Sequence, residues 1–130
     1  MVAAIYTQKS DLDTFLYLSK FISELDKRGV KSILFSGMAE SMQFSKDFVT
    51  FSNKEDLLEN KTNFFFTFGG DGTLVASLLF VQDTNIPVVG VNTGRLGFLA
   101  SFTKEDAFRE LDDIIAVSYT HLTLPTKRIV

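Results

Sequence analysis

The sequence contains no cysteine, two prolines and a single histidine among its 130 residues. The absence of cysteine excludes disulfides, thiolate zinc sites and cysteine nucleophiles, and it fits a reducing compartment. No apolar stretch is long enough to span a bilayer. No basic segment precedes the first apolar run, as it would in a signal peptide. We therefore expect a cytoplasmic protein with no membrane partner.

An excess of basic charge is also absent. The formal net charge is −3 at pH 7, which gives no electrostatic reason to bind nucleic acid or anionic lipid. Hydrophobic residues are abundant: they make up 45% of the chain and include 14 phenylalanines. A chain of this length and composition can bury a core, and it is either one domain or part of a larger protein.

Strand and helix patterns alternate from the start of the chain. The short apolar run Val2–Thr7 indicates a buried first strand. Ser10, with Asp13 three residues later, predicts the start of a helix, and Gly29 predicts its end. A second strand is predicted at Val30–Phe35. Strand, helix and strand in this order predict a parallel crossover.

The same alternation continues beyond residues 36–50. In residues 36–50 the apolar positions follow neither the helical nor the strand spacing clearly. Asn63–Phe68 is almost wholly apolar, as expected for a strand covered on both faces. A helix is predicted at Thr73–Val81, a strand at Ile86–Asn92, and a last helix capped by Thr103. The whole pattern predicts an α/β fold, a doubly wound and mostly parallel sheet.

A glycine-rich stretch, Gly69–Thr73, lies between the predicted apolar strand and the next helix. Ligands of open α/β sheets bind at the carboxyl ends of strands, and glycines with free N–H groups at a helix start suit a phosphate. Asp71 cannot bind phosphate directly, but it can accept a hydroxyl proton or hold magnesium through water. The stretch matches neither the Walker loop nor G-x-G-x-x-G. Because its residues are also common turn formers, a plain turn is the alternative.

A second glycine-rich segment, IPVVGVNTGRLGFLA (Ile86–Ala100), follows GGDGTL (Gly69–Leu74) after one predicted helix. The two motifs in this order resemble the NAD kinase family, over roughly residues 2–116 and mainly over residues 64–102. Diacylglycerol and sphingosine kinases share the first motif, but their next glycine-rich segment usually reads Pro-x-Gly-Thr-x-Asn-Asp. A lipid kinase of this kind is the alternative within the same superfamily.

The resemblance implies phosphoryl transfer from ATP, or from polyphosphate, to the 2′-hydroxyl of the adenosine ribose of NAD, which gives NADP. Asp71 would be the catalytic residue that accepts the hydroxyl proton, and magnesium would accompany the donor without an assigned protein ligand. Phe98 would pack by the adenosine and Arg95 could meet phosphate, although a core phenylalanine and a solvated arginine are the alternatives. The residues expected to bind the nucleotides are Gly69, Gly70, Asp71, Gly72, Thr73, Asn92, Gly94, Arg95, Gly97 and Phe98.

NAD kinases have a second, β-rich domain that carries an Asn-Glu or Asn-Asp pair for the substrate and much of the oligomer contact. We expect that domain to be absent here, so that residues 1–116 form an N-terminal α/β domain of a homo-oligomeric parent protein. By this interpretation the chain alone is inactive, and a non-catalytic nucleotide-binding fragment is the alternative.

The last segment, VSYTHLTLPTKRIV (Val117–Val130), does not resemble the family. It contains His121, but nothing indicates the orienting carboxylate and oxyanion hole that a serine–histidine site needs. Residues 117–126 equal the translation of a transposon adapter used in sequencing libraries, GTC-TCT-TAT-ACA-CAT-CTG-ACG-CTG-CCG-ACG. We therefore interpret residues 117–130 as a non-native tail, a hypothesis that genomic reads continuing through codon 117 without adapter would overturn.

Overall fold

A computed structural model describes residues 1–93, 102–121 and 128–129 of the chain. The strands are β1 (Val2–Thr7), β2 (Lys31–Phe35), β3 (Thr50–Phe51), β4 (Phe64–Gly69), β5 (Val88–Asn92), β6 (Phe102–Thr103) and β7 (Arg128–Ile129). The helices are α1 (Leu12–Lys27), α2 (Ser36–Ser41), α3 (Lys54–Glu59), α4 (Asp71–Val81), α5 (Lys104–Arg109) and α6 (Leu111–His121).

The strands form one sheet in the order β3-β2-β1-β4-β5-β6, and β7 pairs with β5. Every pairing among these strands is parallel. From β1 the chain adds β2 and β3 on one side and then β4, β5 and β6 on the other. The strand order therefore reverses between β1 and β4, which is the topological switch point where such sheets bind ligands. The predicted doubly wound α/β fold is confirmed.

The central strand β4 is buried along its whole length. Its alternate side chains point to the two faces of the sheet. Phe66 and Phe68 lie edge-on to Phe21 of α1, with ring centres 5.0 Å and 5.1 Å apart. Phe65 lies on the opposite face, 5.6 Å from the ring of Phe51 in β3. Helices cover both faces of the sheet. A central strand such as β4 is therefore expected to have apolar side chains on both faces.

Helix α4 differs from its prediction in length and burial. It begins at Asp71 instead of Thr73, so the glycine-rich stretch contributes the first turn of the helix. The sequence predicted a buried helix because the segment is almost uniformly apolar. Leu74 and Val81 are buried, but Val75 and Leu79 are 52% and 68% exposed. The outer face of α4 is therefore open to solvent in the described part of the chain.

The last predicted helix is two helices. Thr103 caps α5 as predicted, through a 3.0 Å hydrogen bond from the Asp106 backbone N–H. The chain then turns at Glu110 and continues as α6. The predicted boundary between residues 116 and 117 falls inside α6, and it stays a prediction. Within the described ranges, no helix combines the length and apolarity needed to cross a membrane.

The cap of α1 is Asp11, so the prediction of Ser10 was wrong. One carboxylate oxygen of Asp11 accepts a 3.2 Å hydrogen bond from the Thr14 backbone N–H, and the other accepts a 2.7 Å bond from the Thr14 hydroxyl. These bonds lower the pKa of the Asp11 carboxyl below its usual value of 3.8. Asp11 caps the helix instead of Ser10 because Thr14, three residues after Asp11, donates two hydrogen bonds to the Asp11 carboxylate.

The Asp11 cap predicts a pH-dependent difference between wild type and Asp11→Asn. Asparagine caps as well as aspartate but does not ionise. A carboxyl with a lowered pKa stabilises the fold above its unfolded pKa, and this stabilisation is lost as the pH falls through the folded value. The two proteins should melt alike near neutral pH, and wild type should melt a few degrees lower than the variant at about pH 2.5. Thermal melts followed by circular dichroism measure this. Asp11→Ala should be less stable than both at neutral pH, and equal stability of all three would contradict the cap.

Candidate functional site

The glycine-rich stretch lies at the carboxyl edge of the sheet, beside the switch point. Gly69 is the last residue of β4 and pairs with Asn92 at the end of β5. The backbone N–H of Thr93 donates to the Gly69 carbonyl over 3.2 Å. The first glycine-rich stretch therefore neighbours Asn92 and Thr93 of the second segment.

Gly69 has the conformation that most requires glycine. Its φ is +157°, a region that L side chains rarely adopt. A Cβ at this position would lie 2.5 Å from the Thr73 hydroxyl oxygen and 2.8 Å from the Thr73 Cβ. The contact is with a short side chain on α4, so it cannot be relieved by rotating a long flexible one. The first glycine of the motif is therefore required by the fold itself.

Gly70 and Gly72 have no such steric need. Among the described residues, no atom lies within 4 Å of a Cβ built on either one. Gly70 is the N-cap of α4 and provides no side-chain hydrogen bond to the first turn. The backbone at the start of the helix is therefore approachable from outside, in the direction in which the helix dipole favours an anion. These two glycines leave space that the fold does not use.

Asp71 is the first residue of α4 and is partly buried. It lines a small cleft of about 10 Å³ with Gly69, Gly70 and Gly90. That volume accommodates about one water-sized group. The carboxylate also lies in the first turn of the helix, where the dipole stabilises a negative charge. Asp71 therefore sits where a hydroxyl group could reach a proton acceptor between β4 and β5.

Thr73 is buried behind the glycine turn and is bonded on several sides. Its hydroxyl donates to the Gln8 side-chain oxygen over 3.1 Å. Its carbonyl accepts from the Ser77 hydroxyl at 2.8 Å and from the Thr67 hydroxyl at 3.5 Å. Thr73 was predicted to shape the loop, and its contacts are with the buried Thr67 and Ser77 and with the exposed Gln8. Gln8, its partner, is a residue that the sequence analysis did not select.

A larger crevice of about 180 Å³ opens at the same edge on the α1 side of the sheet. Its lining includes two ammonium and two carboxylate groups, contributed by Lys9, Lys104, Asp11 and Asp13, so its charge is mixed. Tyr17 also lines it and donates its hydroxyl to the Lys104 carbonyl over 2.9 Å. Burial raises the pKa of the Tyr17 hydroxyl, and the Glu105 carboxylate raises it further, so the hydroxyl stays protonated.

A groove of about 660 Å³ is remote from this edge. It lies between α1 and the segment before β3 and is lined by Asp26, Lys31 and Phe48 among others. A choice of site by cavity volume would favour this groove over the small cleft at Asp71, which lies at the other end of the sheet. The motif and the switch point together identify the carboxyl edge.

Part of the predicted site lies outside the described residues: Gly94, Arg95, Gly97 and Phe98. Of the second segment, the described part includes Asn92, at the end of β5, and Thr93. Across residues 1–93, 102–121 and 128–129, no group of three or more His, Asp or Glu side chains is arranged to hold a metal ion. Of the residues that the structure describes, Asp71 provides the one carboxylate that lines the loop cleft. This donor set suits a magnesium ion that arrives with phosphate and keeps most of its waters.

Comparisons with known proteins agree with this architecture. The family model described as the ATP-NAD kinase N-terminal domain matches residues 13–119. The NAD kinase of Cytophaga hutchinsonii is 34% identical over 124 residues, covering 92% of this chain and 42% of that protein. The NAD kinase of Christiangramia forsetii is 32% identical with the same coverage. The chain therefore spans 42% of the length of these curated relatives.

A solved structure gives the same fold. Yeast NADH kinase, crystallised with NADH, superposes with a TM-score of 0.71 over 89% of this chain and 36% of that one. The sequence identity is 23%, so this likeness concerns the fold alone.

Proposed function

Because this chain belongs to the NAD kinase family, we propose that its glycine-rich loop serves phosphoryl transfer from ATP to the 2′-hydroxyl of the adenosine ribose of NAD, which gives NADP. Polyphosphate is the alternative donor. The observation that carries the proposal is the position of Asp71 at the first turn of α4, on the carboxyl edge of the sheet next to the switch point. A cytoplasmic location is supported by the lack of cysteine, and a homo-oligomeric assembly rests on the family resemblance.

Each residue of the loop has a proposed role. Asp71 accepts the proton of the ribose hydroxyl as that oxygen attacks the terminal phosphorus of ATP, while the bond from this phosphorus to the bridging oxygen breaks and ADP leaves. Gly70 and Gly72 let the phosphates approach the backbone, and the start of α4 favours their negative charge. Gly69 packs against the Thr73 side chain, and this contact fixes the conformation of the turn on the side away from the phosphates. A magnesium ion that came with the donor would supply charge neutralisation, and Asp71 is the described residue that could hold it through water.

The second segment is proposed to complete the nucleotide site. Asn92 ends β5 one strand away from Asp71 and pairs with Gly69. Gly94, Arg95, Gly97 and Phe98 follow directly in the sequence. We assign Phe98 to the adenosine and Arg95 to phosphate, on the strength of the motif. Their positions lie outside the described residues, so these roles depend on substitution experiments.

For the 130-residue chain by itself, a second candidate function is nucleotide binding without transfer. The chain matches 42% of the length of its relatives, and phosphoryl transfer depends on positioning both substrates. We expect the isolated chain to bind ATP and to form NADP at least about 1000-fold more slowly than a protein of the relatives' full length.

The test compares this chain with a chimera in which its residues 1–116 replace the matching part of the Cytophaga hutchinsonii relative. Each protein receives ATP and magnesium with either NAD or diacylglycerol, and NADP is measured by enzymatic cycling. NADP formation by the chimera, with no phosphorylated lipid, is the expected result. Phosphorylation of diacylglycerol instead of NAD would favour a lipid kinase. Rapid NADP formation by the chain alone would contradict the second candidate.

Gly72→Ala should separate stability from binding. Alanine is favoured over glycine in a helix, and no atom of residues 1–93, 102–121 or 128–129 lies within 4 Å of the new methyl group. The free energy of unfolding should therefore rise by about 0.5 kcal/mol. The methyl group would occupy the space that the donor phosphates need, so ATP should bind about 10-fold more weakly. Urea unfolding and calorimetric titration with ATP measure the two effects. A variant that is more stable and binds ATP as wild type does would show that phosphate does not approach this glycine.

A further inference from the structure

The side-chain amide of Gln8 connects the end of β1 with the first turn of α4. Its oxygen accepts the 3.1 Å hydrogen bond from the Thr73 hydroxyl. Its nitrogen donates to the Tyr6 hydroxyl over 3.2 Å. Gln8 and Thr73 are 65 residues apart in the sequence, so this contact crosses the switch point between β1 and β4. It joins the end of β1 to the first turn of α4, which follows β4.

Thr73 is the residue against which the glycine turn packs. The atoms closest to a Cβ on Gly69 are the hydroxyl oxygen, Cβ and Cγ2 of Thr73. The orientation of the Thr73 side chain therefore decides which atom faces the turn. Ser77 and Thr67 bond to its carbonyl, but they leave its side-chain rotation undetermined. Gln8 bonds to the hydroxyl and so selects the rotamer.

We propose that Gln8 is a positioning residue for the phosphate loop. By holding the Thr73 hydroxyl, it keeps Gly69 against α4 and fixes the first turn, with Asp71, relative to the carboxyl end of β1. The assignment rests on the proposed function of this loop, because positioning matters only if the loop binds a ligand. Gln8 itself is exposed, so its contribution to the core is small and its effect is local to the turn.

The chemistry of the two partners makes the proposal testable by substitution. Both Tyr6 and Thr73 present hydroxyl groups, which can donate or accept. Gln8→Glu therefore keeps both hydrogen bonds, since a carboxylate accepts from each hydroxyl. Gln8→Met has a similar shape and makes neither bond. A positioning role requires glutamate to preserve the turn and methionine to loosen it.

Amide hydrogen exchange of the 130-residue chain without nucleotide measures the turn directly. The Leu74 N–H donates to the Gly70 carbonyl over 3.1 Å and closes the first turn of α4. In Gln8→Met this amide should exchange about two- to ten-fold faster, the range expected for the loss of one hydrogen bond. The amides of β4 report global unfolding and should exchange faster by no more than the same factor, because the lost hydrogen bond also lowers the global stability. Gln8→Glu should restore the slow exchange of Leu74.

Two controls test whether Gln8→Met acts on the turn specifically or on the stability of the whole fold. Gln43→Met makes the same change at an exposed glutamine in the turn after α2 and should leave Leu74 unaffected. In a Thr73→Val background, which lacks the hydroxyl, Gln8→Met should produce no further change, whereas Thr73→Ser should behave as wild type. Unchanged Leu74 exchange in Gln8→Met, or an equal effect in both Thr73 backgrounds, would overturn the proposal.

Titration with ATP and magnesium separates this inference from the function on which it rests. Gln8→Met should raise the Kd for ATP by the same two- to ten-fold, about the change seen in exchange. If wild type binds no ATP while Leu74 exchange still depends on Gln8, the proposed function fails and Gln8 is reduced to a structural residue. If Gln8→Met loosens the turn but binds ATP as wild type does, the positioning role is excluded.

Discussion

Gly69→Ala should destabilise the fold by about 2–4 kcal/mol, more than any other single methyl group added to this loop. The new Cβ would lie 2.5 Å from the Thr73 hydroxyl oxygen and 2.8 Å from its Cβ, and the φ of +157° would strain alanine even without that contact. Relief would require β4 to move away from α4. β4 cannot move freely because it is paired with both β1 and β5. Urea unfolding measures the loss.

Gly70→Ala is the matched control for this prediction. It adds the same methyl group one residue later, where φ is −102° and no atom of the part of the chain that the structure describes lies within 4 Å. The free energy of unfolding should change by less than about 0.5 kcal/mol. Thr73→Gly in the Gly69→Ala background would remove the contacting side chain and should recover part of the stability, with the strain in φ remaining. Equal stability of Gly69→Ala and Gly70→Ala would show that the turn is not constrained in this way.

The sequence predicted the features of this fold that depend on continuous local patterns. The apolar run at Asn63–Phe68 identified the central strand, and glycine after it identified the edge where the loop lies. Alternation of strands and helices was enough for the parallel, doubly wound sheet because the handedness and length of crossovers leave few other topologies. These predictions needed no knowledge of which side chains touch.

Other features of the fold depend on contacts between distant residues, which a local sequence pattern cannot indicate. β3 and β6 are two residues long and exist because β2 and β5 offer them a paired edge. The division of α5 from α6 at Glu110 was hidden because apolar residues continue at helical spacing on both sides. An apolar composition did not reveal which face of α4 is exposed.

Within the site, the motif located Asp71 and the glycines but could not distinguish their tasks. Gly69, Gly70 and Gly72 look equivalent in sequence. Among the residues whose positions are described, a Cβ would meet a neighbour within 4 Å at Gly69 and at neither of the other two. Nothing in the sequence predicted a role for Gln8, because a single polar residue after a strand is common on protein surfaces. Its partner Thr73 is distant in sequence, so only the folded arrangement of β1 and β4 shows the contact.

Asp71→Asn should lower kcat for NADP formation by about 100- to 10,000-fold, the usual contribution of a positioned general base. The amide keeps the size and position of the side chain at the start of α4 but cannot accept the ribose proton. Binding of ATP should not weaken, because the carboxylate does not ligate phosphate and its negative charge opposes the donor. The chimera that carries residues 1–116 of this chain is assayed for NADP at saturating ATP and NAD, and ATP affinity is measured by calorimetry.

The control for the Asp71→Asn prediction is Asp83→Asn, beyond the other end of the same helix. Asp83 is 86% exposed and pairs with Lys54 on the surface, so its loss should leave kcat within about two-fold of wild type. Retention of activity by Asp71→Asn would exclude it as the proton acceptor, even if the loop still binds nucleotide. A fall in ATP affinity equal to the fall in kcat would instead assign Asp71 to donor binding. A loss of kcat with ATP affinity retained is the result that makes this aspartate the catalytic residue of the loop, because a purely structural turn residue would impair both quantities together.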